Sequence, residues 1–474
     1  MKIAVVSDIH DHVRDRGRAV GAAAVLAAVL LAPGAVPAQE GAGGAGIASD
    51  SVHRRVDGVF RDFDREDSPG CALGVMQGGD LTYERGYGMA DLEEGRPITP
   101  STRFYAASVS KQFTAASVLL AEQEGALSAE DPVRRHVPEL PSYGDTVRIR
   151  HLAHHTSGIR DMYGLMDLAG LGLEAATVED VVELVARQGD LNFAPGEEHL
   201  YSNSGYLLMA RIVERATGRS LRQYARERIF APLGMDDTHF HDDALHFIPR
   251  KAVGYEADDD GEGVERAYLA GFTGVGPGGM WTTVRDLAEW NELFAGREVI
   301  GEGLVDRMKE RAVLRGGDTL DYAWGIEHSE VKGISYVGHG GSFMGYRTHF
   351  VRAPEQEFGV AVLCNQRRID PGGLAGEVAE VYLGDEIRDH LRQFAGRYRG
   401  PEVGATWALA VDGTDLVAKG PDGERRRLEY EEPDVFGMGG AELRFVRQSG
   451  RVVGFTYDGG RVRGVAFERV DGAP

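Results

Sequence analysis

The sequence predicts an α+β domain whose sheet is assembled from two distant parts of the chain, followed by a small all-β domain. Three observations carry that expectation. Apolar runs at 71–76 and 81–87 surround Gln77-Gly78-Gly79-Asp80 and read as a β-hairpin. Strand-like runs return at 334–337, 346–351 and 358–363, whereas between about 104 and 287 the apolar spacing is helical, broken at Pro132, Pro141, Pro195-Gly196 and Pro277-Gly278. Strands at both ends with helices inserted between them describe a single sheet with helices around it. From about 389 onward, short alternating runs at 407–411, 416–419, 443–446, 452–457 and 462–467 alternate with Asp-Gly and Ser-Gly turns, the pattern of a small barrel or sandwich.

The remaining segments follow in order. Residues 1–38 divide into an N-terminal extension and a signal segment: Arg14, Arg16 and Arg18 precede an Ala/Val/Leu-rich run at 19–32, and Val36-Pro37-Ala38 supplies a small-residue cleavage site after Ala38. That run is too short to span a bilayer core of ~30 Å, so the chain is expected to be secreted or periplasmic, with no stable membrane span. The opening MKIAVVSDIHDH carries Asp8-x-His10 and resembles the start of calcineurin-like metallophosphoesterases. A two-metal site needs further ligands from separate loops, and none can follow where the arginines and the apolar run begin. It is expected to be a fused fragment or a mis-set start. A Gly/Ala-rich linker at 39–50, an amphipathic segment at 51–64 and a helix-like stretch at 374–383 complete the layout. The main domain is expected at 51–386 and the β domain at 387–474.

The 474 residues allow two or three domains, each with its own core. A net charge of −22 repels phosphate backbones, which excludes nucleic acid as a natural partner. Two cysteines, Cys71 and Cys364, cannot build a Cys-rich metal site or a disulfide framework. The β runs of the C-terminal domain contain neither His nor Cys, so a structural, gating or oligomerisation role is expected of it.

The chemistry concentrates in Ser108-Val109-Ser110-Lys111. Val109, Phe113, Ala116 and Leu120 recur at helical spacing, so Ser108 opens a buried helix with Lys111 one turn along on the same face. A serine hydroxyl is a weak nucleophile until its proton is taken, and a desolvated lysine can take it. The helix start would also aim backbone N–H groups at a developing oxyanion. Downstream come Tyr201-Ser202-Asn203 after the Pro195-Gly196 turn, and His339-Gly340-Gly341 after the run at 334–337. These ordered elements, with His154-His155-Thr156-Ser157-Gly158, Ala231-Pro232-Leu233-Gly234-Met235 and Gly276-Pro277-Gly278-Gly279, resemble the serine β-lactamase-related family of class C β-lactamases, DD-peptidases, D-aminopeptidases and esterases. The resemblance runs from about 51 to 385. It implies an antiparallel sheet flanked by helices with an all-helical subdomain.

The residue chemistry sits beside that resemblance. A lysine ammonium next to Tyr201 would favour its phenolate, so Lys111 and Tyr201 are expected to strip Ser108 together and to titrate as a coupled pair. Asn203 can hold Lys111 or a substrate amide. The strand after His339 is expected to accept an extended acyl donor, with Gly341 lining the site and an N–H near Ser342 joining that of Ser108 as the oxyanion hole. His154 and His155 are left out of the site. With Asn203, His339 is expected to position the substrate, but where many relatives of the resemblance carry Lys-Thr-Gly it is only partly cationic at its ordinary pKa of ~6.5, which disfavours efficient β-lactam turnover. The expected activity is acyl-enzyme hydrolysis of a D-amino-acid peptide or an ester, with a β-lactam or a non-hydrolysing binding role as alternatives. The partner is a small-molecule or peptide acyl substrate, and no metal or organic cofactor is implied. The resemblance also sets the Cys71 and Cys364 runs side by side; both are expected as small buried residues, with disulfide pairing the alternative.

Overall fold

The structure is a computed structural model describing residues 43–258, 263–267 and 271–470. The signal segment and the metallophosphoesterase-like opening therefore lie outside the described residues. Among the described residues no helix is long and apolar enough to cross a membrane.

Two strands, β1 (Cys71–Gln77) and β2 (Asp80–Tyr87), form the expected hairpin. Two short strands, β3 (Phe104–Tyr105) and β4 (Met280–Thr282), pair with each other beside the buried helix α1 (Lys111–Gln123). The helical segment supplies α2 (Met162–Ala169), α3 (Asn203–Thr217) and α4 (Val284–Phe294). Strands β5 (Glu327–Val331), β6 (Ile334–Phe343), β7 (Tyr346–Ala353) and β8 (Phe358–Cys364) follow, and then α5 (Pro371–Tyr382) and α6 (Gly384–Arg392). The sheet order is β5-β6-β7-β8-β1-β2, antiparallel throughout, so the two ends of the segment meet at the β8–β1 junction. Helix α4 covers one face of β1 and β8, and α5 packs on the other face against β7 and β8. Alternate residues of β1 accordingly enter different cores, Ala72 and Met76 in one, Leu73 and Val75 in the other.

Strand β5 escaped the sequence reading because Glu-His-Ser-Glu-Val is a solvated edge with no apolar alternation. The run at 334–337 extends to Phe343, since Gly338 and Gly341 stand where a Cβ would meet Phe350 O at 2.2 Å and Thr348 Oγ1 at 2.3 Å, close backbone approach rather than side-chain packing.

The C-terminal strands are β9 (Gly396–Gly400), β10 (Ala405–Asp412), β11 (Asp415–Lys419), β12 (Arg425–Glu432), β13 (Val435–Met438), β14 (Ala441–Gln448), β15 (Arg451–Gly459) and β16 (Val462–Arg469). They close into a barrel through Tyr398↔Arg469 and Arg399↔Glu468, which decides between barrel and sandwich. Five of the eight strands carry the alternating runs. In β12, Arg-Arg-Arg-Leu-Glu-Tyr-Glu-Glu, only Leu428 is fully buried, so its alternation is too thin to read. The lumen is filled by Tyr398, Leu409, Leu443, Phe445, Phe455 and Phe467, and belongs to the same apolar cluster as the α5 face of the sheet. Lys332, in the β5–β6 turn, bonds Glu380 of α5 at 2.6 Å and Asp415 of the barrel at 3.1 Å.

Cys71 and Cys364 face each other in the β1–β8 register, fully buried as expected, and are joined as a disulfide, the alternative that the sequence left open. The bond closes a chain separation of 293 residues. Changing both cysteines to Ala should cost about 3–5 kcal/mol of unfolding free energy, read from urea midpoints. Alkylation under denaturing, non-reducing conditions should add no mass to the unmodified protein, and two adducts there would disprove the bond.

Candidate active site

The centre of the site is a strained turn. Ala106 donates its N–H to Met280 O at 2.8 Å, and Thr348 Oγ1 of β7 bonds Ala106 O at 2.9 Å. Ala107 then takes φ +47°, a left-handed conformation that a non-glycine residue adopts only under such constraint. Ser108 therefore sits in a 3₁₀ turn (Ala107–Ser110), and the α-helix begins only at Lys111; the expected continuous helix from Ser108 is corrected to that extent. Val109, Phe113, Ala116 and Leu120 are all buried, as the spacing requires.

Lys111 is fully buried, and its Nζ donates to three acceptors: Ser108 Oγ at 3.0 Å, Asn203 Oδ1 at 2.9 Å and Pro277 O at 2.9 Å. Desolvation outweighs the attraction of Asp161 and Glu327 and draws its pKa down to about 7. The Pro277 carbonyl is delivered by a tight loop. Gly276 has φ +117°, and a Cβ there would stand 2.3 Å from Tyr206 O, so only glycine fits. Thr114 Oγ1 anchors Gly276 O at 2.9 Å and Gly279 N–H donates to Tyr105 OH at 2.8 Å.

Asn203 opens α3. Its backbone N–H and its Nδ2 both donate to Asp161 Oδ2, at 2.6 and 3.0 Å, while the other Asp161 oxygen caps α2 through Tyr163 N–H at 2.9 Å. Of the two duties the sequence allowed Asn203, holding Lys111 is the one the geometry displays. Asp161 was not singled out from sequence; its only signal is its position just before an apolar helix, where carboxylates cap.

Tyr201 stands over the same lysine, Nζ lying 4.7 Å from its ring centre, and its hydroxyl faces Ser108. Burial pushes its pKa well above 10, with Ser108 the one neighbour among the leading causes pulling it down. The expected phenolate is thus corrected: in the dry site the phenol is neutral, and lysine is the group whose pKa moves toward neutrality. His155 supports this residue. It adopts φ +56°, its Nδ1 accepts Ser202 N–H at 3.0 Å, its carbonyl accepts Leu200 N–H at 2.9 Å, and its ring centre is 4.1 Å from that of Tyr201. It clasps the segment on both sides of Tyr201, a positioning role invisible in sequence beyond the Thr-Ser-Gly turn that follows it.

His339 is buried, with Nδ1 donating to Gly340 O at 2.5 Å and Nε2 accepting from Tyr322 OH at 3.1 Å. Burial, with Lys111 nearby, lowers its pKa to about 3. The partly cationic histidine expected from sequence is corrected to a neutral ring whose nitrogens are both engaged within the protein. Gly341 runs against the nucleophile turn: a Cβ there would lie 2.3 Å from Thr348 Oγ1, 2.6 Å from Ala106 O and 3.0 Å from Ser108 N. The β6–β7 hairpin turns through Met344 and Gly345, at φ +42° and +81°, closing on the pair Phe343↔Tyr346. In that antiparallel alternation the backbone groups of Ser342 point away from β7, and β5 pairs with β6 only up to Gly338. The exposed Ser342 therefore offers its N–H and C=O to a free edge beside Ser108. Ser108, Lys111, Tyr201, Asn203 and Gly341 are brought together, Ser342 lies on the adjoining edge, and His339 sits behind them.

Among the described residues no group of three or more His, Cys, Asp or Glu is placed to hold a metal ion. Since Asp161 holds Asn203 and caps α2, Asp161→Ala should cost about 2–4 kcal/mol, the sum of a lost cap and charge-assisted bonds. Urea unfolding would measure it, and an unchanged midpoint would refute the network.

Residues 56–383 match the family model described as Beta-lactamase. Among curated proteins, the chain is 33% identical to penicillin-binding protein 4* of Bacillus subtilis over 59% of this chain and 64% of that one. It is 30% identical to a D-aminopeptidase of Cereibacter sphaeroides over 79% of this chain and 72% of that one. Among solved structures, D-amino acid amidase from Ochrobactrum anthropi SV3 is 25% identical, with a TM-score of 0.59 over 71% of this chain and 99% of that one. The octameric penicillin-binding protein homologue from Pyrococcus abyssi, 23% identical, shares the fold at a TM-score of 0.62, covering 90% of this chain and 100% of that one. With more than two thirds of its length inside that family model, the chain belongs to the beta-lactamase family of serine acyl hydrolases.

Proposed function

We propose that the chain hydrolyses peptide or amide bonds of D-amino-acid substrates through an acyl-enzyme on Ser108. One observation carries the reading: a dry Lys111 amine, poised near neutrality, held between Ser108 Oγ, Asn203 Oδ1 and Pro277 O. A base whose pKa matches the working pH, one turn from a hydroxyl, is suited to take its proton.

In acylation, Ser108 Oγ bonds to the substrate carbonyl carbon while its proton passes to neutral Lys111. The carbonyl oxygen, now an oxyanion, is received by the N–H groups of Ser108 and Ser342. As the C–N bond breaks, the leaving nitrogen takes the proton of the neutral Tyr201 hydroxyl, and Lys111 returns a proton to the Tyr201 oxygen. Water then adds to the acyl carbon, giving a proton to Lys111, and Ser108 departs with that proton as the acid is released. Asn203 and Asp161 keep Lys111 in place, and Gly341 lets β6, whose free edge would take the acyl donor, lie against the nucleophile turn.

The neutral His339 supports an uncharged amide acceptor over a terminal carboxylate that would need a fixed cation. The D-aminopeptidase and D-amino acid amidase relatives support the D configuration. Phe343 lies on the same strand face as Gly341, its ring 5.3 Å from Tyr105 and 6.1 Å from Tyr163, and supports an aromatic or apolar acyl side chain. The similarity to penicillin-binding protein 4* favours a second reading, penicillin recognition with slow turnover. The signal segment and the Cys71–Cys364 disulfide support action in a secreted or periplasmic setting, where thiols are oxidised.

Ser108→Ala should lower D-phenylalaninamide hydrolysis by at least ~10³-fold and abolish the fluorophosphonate adduct at that residue; an adduct elsewhere would end the proposal. The activity should rise with pH as Lys111 loses its proton, so that kcat/KM at pH 6 is roughly one tenth of its alkaline plateau; a profile falling through pH 7 would exclude lysine as the base. Phe343→Ala should reduce kcat/KM for D-phenylalaninamide about tenfold more than for D-alaninamide, and equal losses would remove Phe343 from the acyl pocket.

A further inference from the structure

One end of the C-terminal barrel carries an open surface depression of ≈ 670 Å³, a size that accepts a small ligand. Strands β10, β12, β13 and β15 meet there, contributing Trp407, Arg426, Met438 and Tyr457. Three chemistries meet around Gly420, next to the lining residue Pro421. Within 4 Å of where a Cβ on Gly420 would stand lie Asp422 Oδ1 at 3.2 Å, Arg426 Nη1 at 3.3 Å and the Trp407 indole at 3.7 Å. Tyr457 adds a second ring 6.4 Å from that of Trp407.

The surroundings narrow the ligand. The lumen beneath is closed by stacked Phe455 and Phe467, 4.7 Å apart, with Phe445 and Tyr398 around them, so no channel is left for an acyl chain. Both arginines at the mouth are already paired, Arg426 with Asp422 and Glu424, and Arg427 with Asp415, so an anion gains no unneutralised charge. Across 396–470, Lys and Arg equal Asp and Glu in number. A partly buried indole beside a solvent-exposed carboxylate–guanidinium pair suits a ligand with an apolar C–H face and a rim of hydroxyl or acetamide groups. We infer that the barrel mouth is a carbohydrate site for a neutral hexose or N-acetylhexosamine unit, stacked on Trp407 and hydrogen-bonded by Asp422 and Arg426.

Tryptophan fluorescence isolates this site. Of the four tryptophans, Trp281, Trp290 and Trp324 are buried to within 1%, whereas Trp407 is only partly buried. Acrylamide quenching of the full chain, titrated with N-acetylglucosamine and its β-1,4-linked dimer, should fall at least about twofold as sugar covers the indole. Saturation-transfer NMR should detect the sugar on the unmodified protein and on Trp407→Phe, which keeps a stacking face, but not on Trp407→Ala. Asp422→Asn should weaken the signal, and fluorophosphonate labelling of Ser108 should be unchanged in all three variants, which also reports that they fold. Absence of sugar signal on the unmodified protein, equal signal on Trp407→Ala, or preferential protection by decanoate or inorganic phosphate would overturn the assignment.

Discussion

The structure turns on the burial of one amine. Lys111 lies in a helix whose flanks are apolar, and its Nζ is satisfied only because three separate segments reach it: the 3₁₀ turn through Ser108 Oγ, the start of α3 through Asn203 Oδ1, and the glycine loop through Pro277 O. A buried cation without such acceptors would be strongly unfavourable, and even with them desolvation brings the amine toward neutrality. That compromise has chemical value. A free-solution lysine is fully protonated at pH 7, and a fully isolated buried one would never hold a proton long enough to return it.

Holding that geometry requires rigidity in the surroundings. The left-handed Ala107 persists because β4 and β7 clamp the preceding peptide, and Gly341 lets β6 approach the same turn where any side chain would collide. The rings of His155, Tyr322 and His339 form a neutral layer behind Tyr201, with His155 fixing the backbone on either side of it. Each of these histidines is kept uncharged by burial, so the layer adds shape without adding a charge that would oppose Lys111.

The barrel is joined to this domain by both apolar and polar contacts. Its lumen shares a cluster with the α5 face of the sheet, and Lys332, in a left-handed turn, bridges Glu380 and Asp415 from the two sides. Because Arg427 also bonds Asp415, the junction is a small charge network within a contact otherwise made of aliphatic and aromatic packing.

Much of this was legible in the chain. The hairpin at 71–87, the buried spacing of Val109, Phe113, Ala116 and Leu120, and the serine and lysine one turn apart are local patterns, set by side-chain periodicity and turn chemistry within a few residues. The strands β5 and β12 were not, because a solvated strand has no apolar alternation to reveal it. The protonation states of Tyr201 and His339, the duty of Asn203, the clasp by His155, the carboxylate of Asp161 and the Cys71–Cys364 bond were likewise beyond reach. Sequence determined which chemical groups exist and on which elements they ride. Tertiary structure decided which of them are dry, which touch, and which are charged, since desolvation and hydrogen bonding depend on neighbours brought from tens to hundreds of residues away.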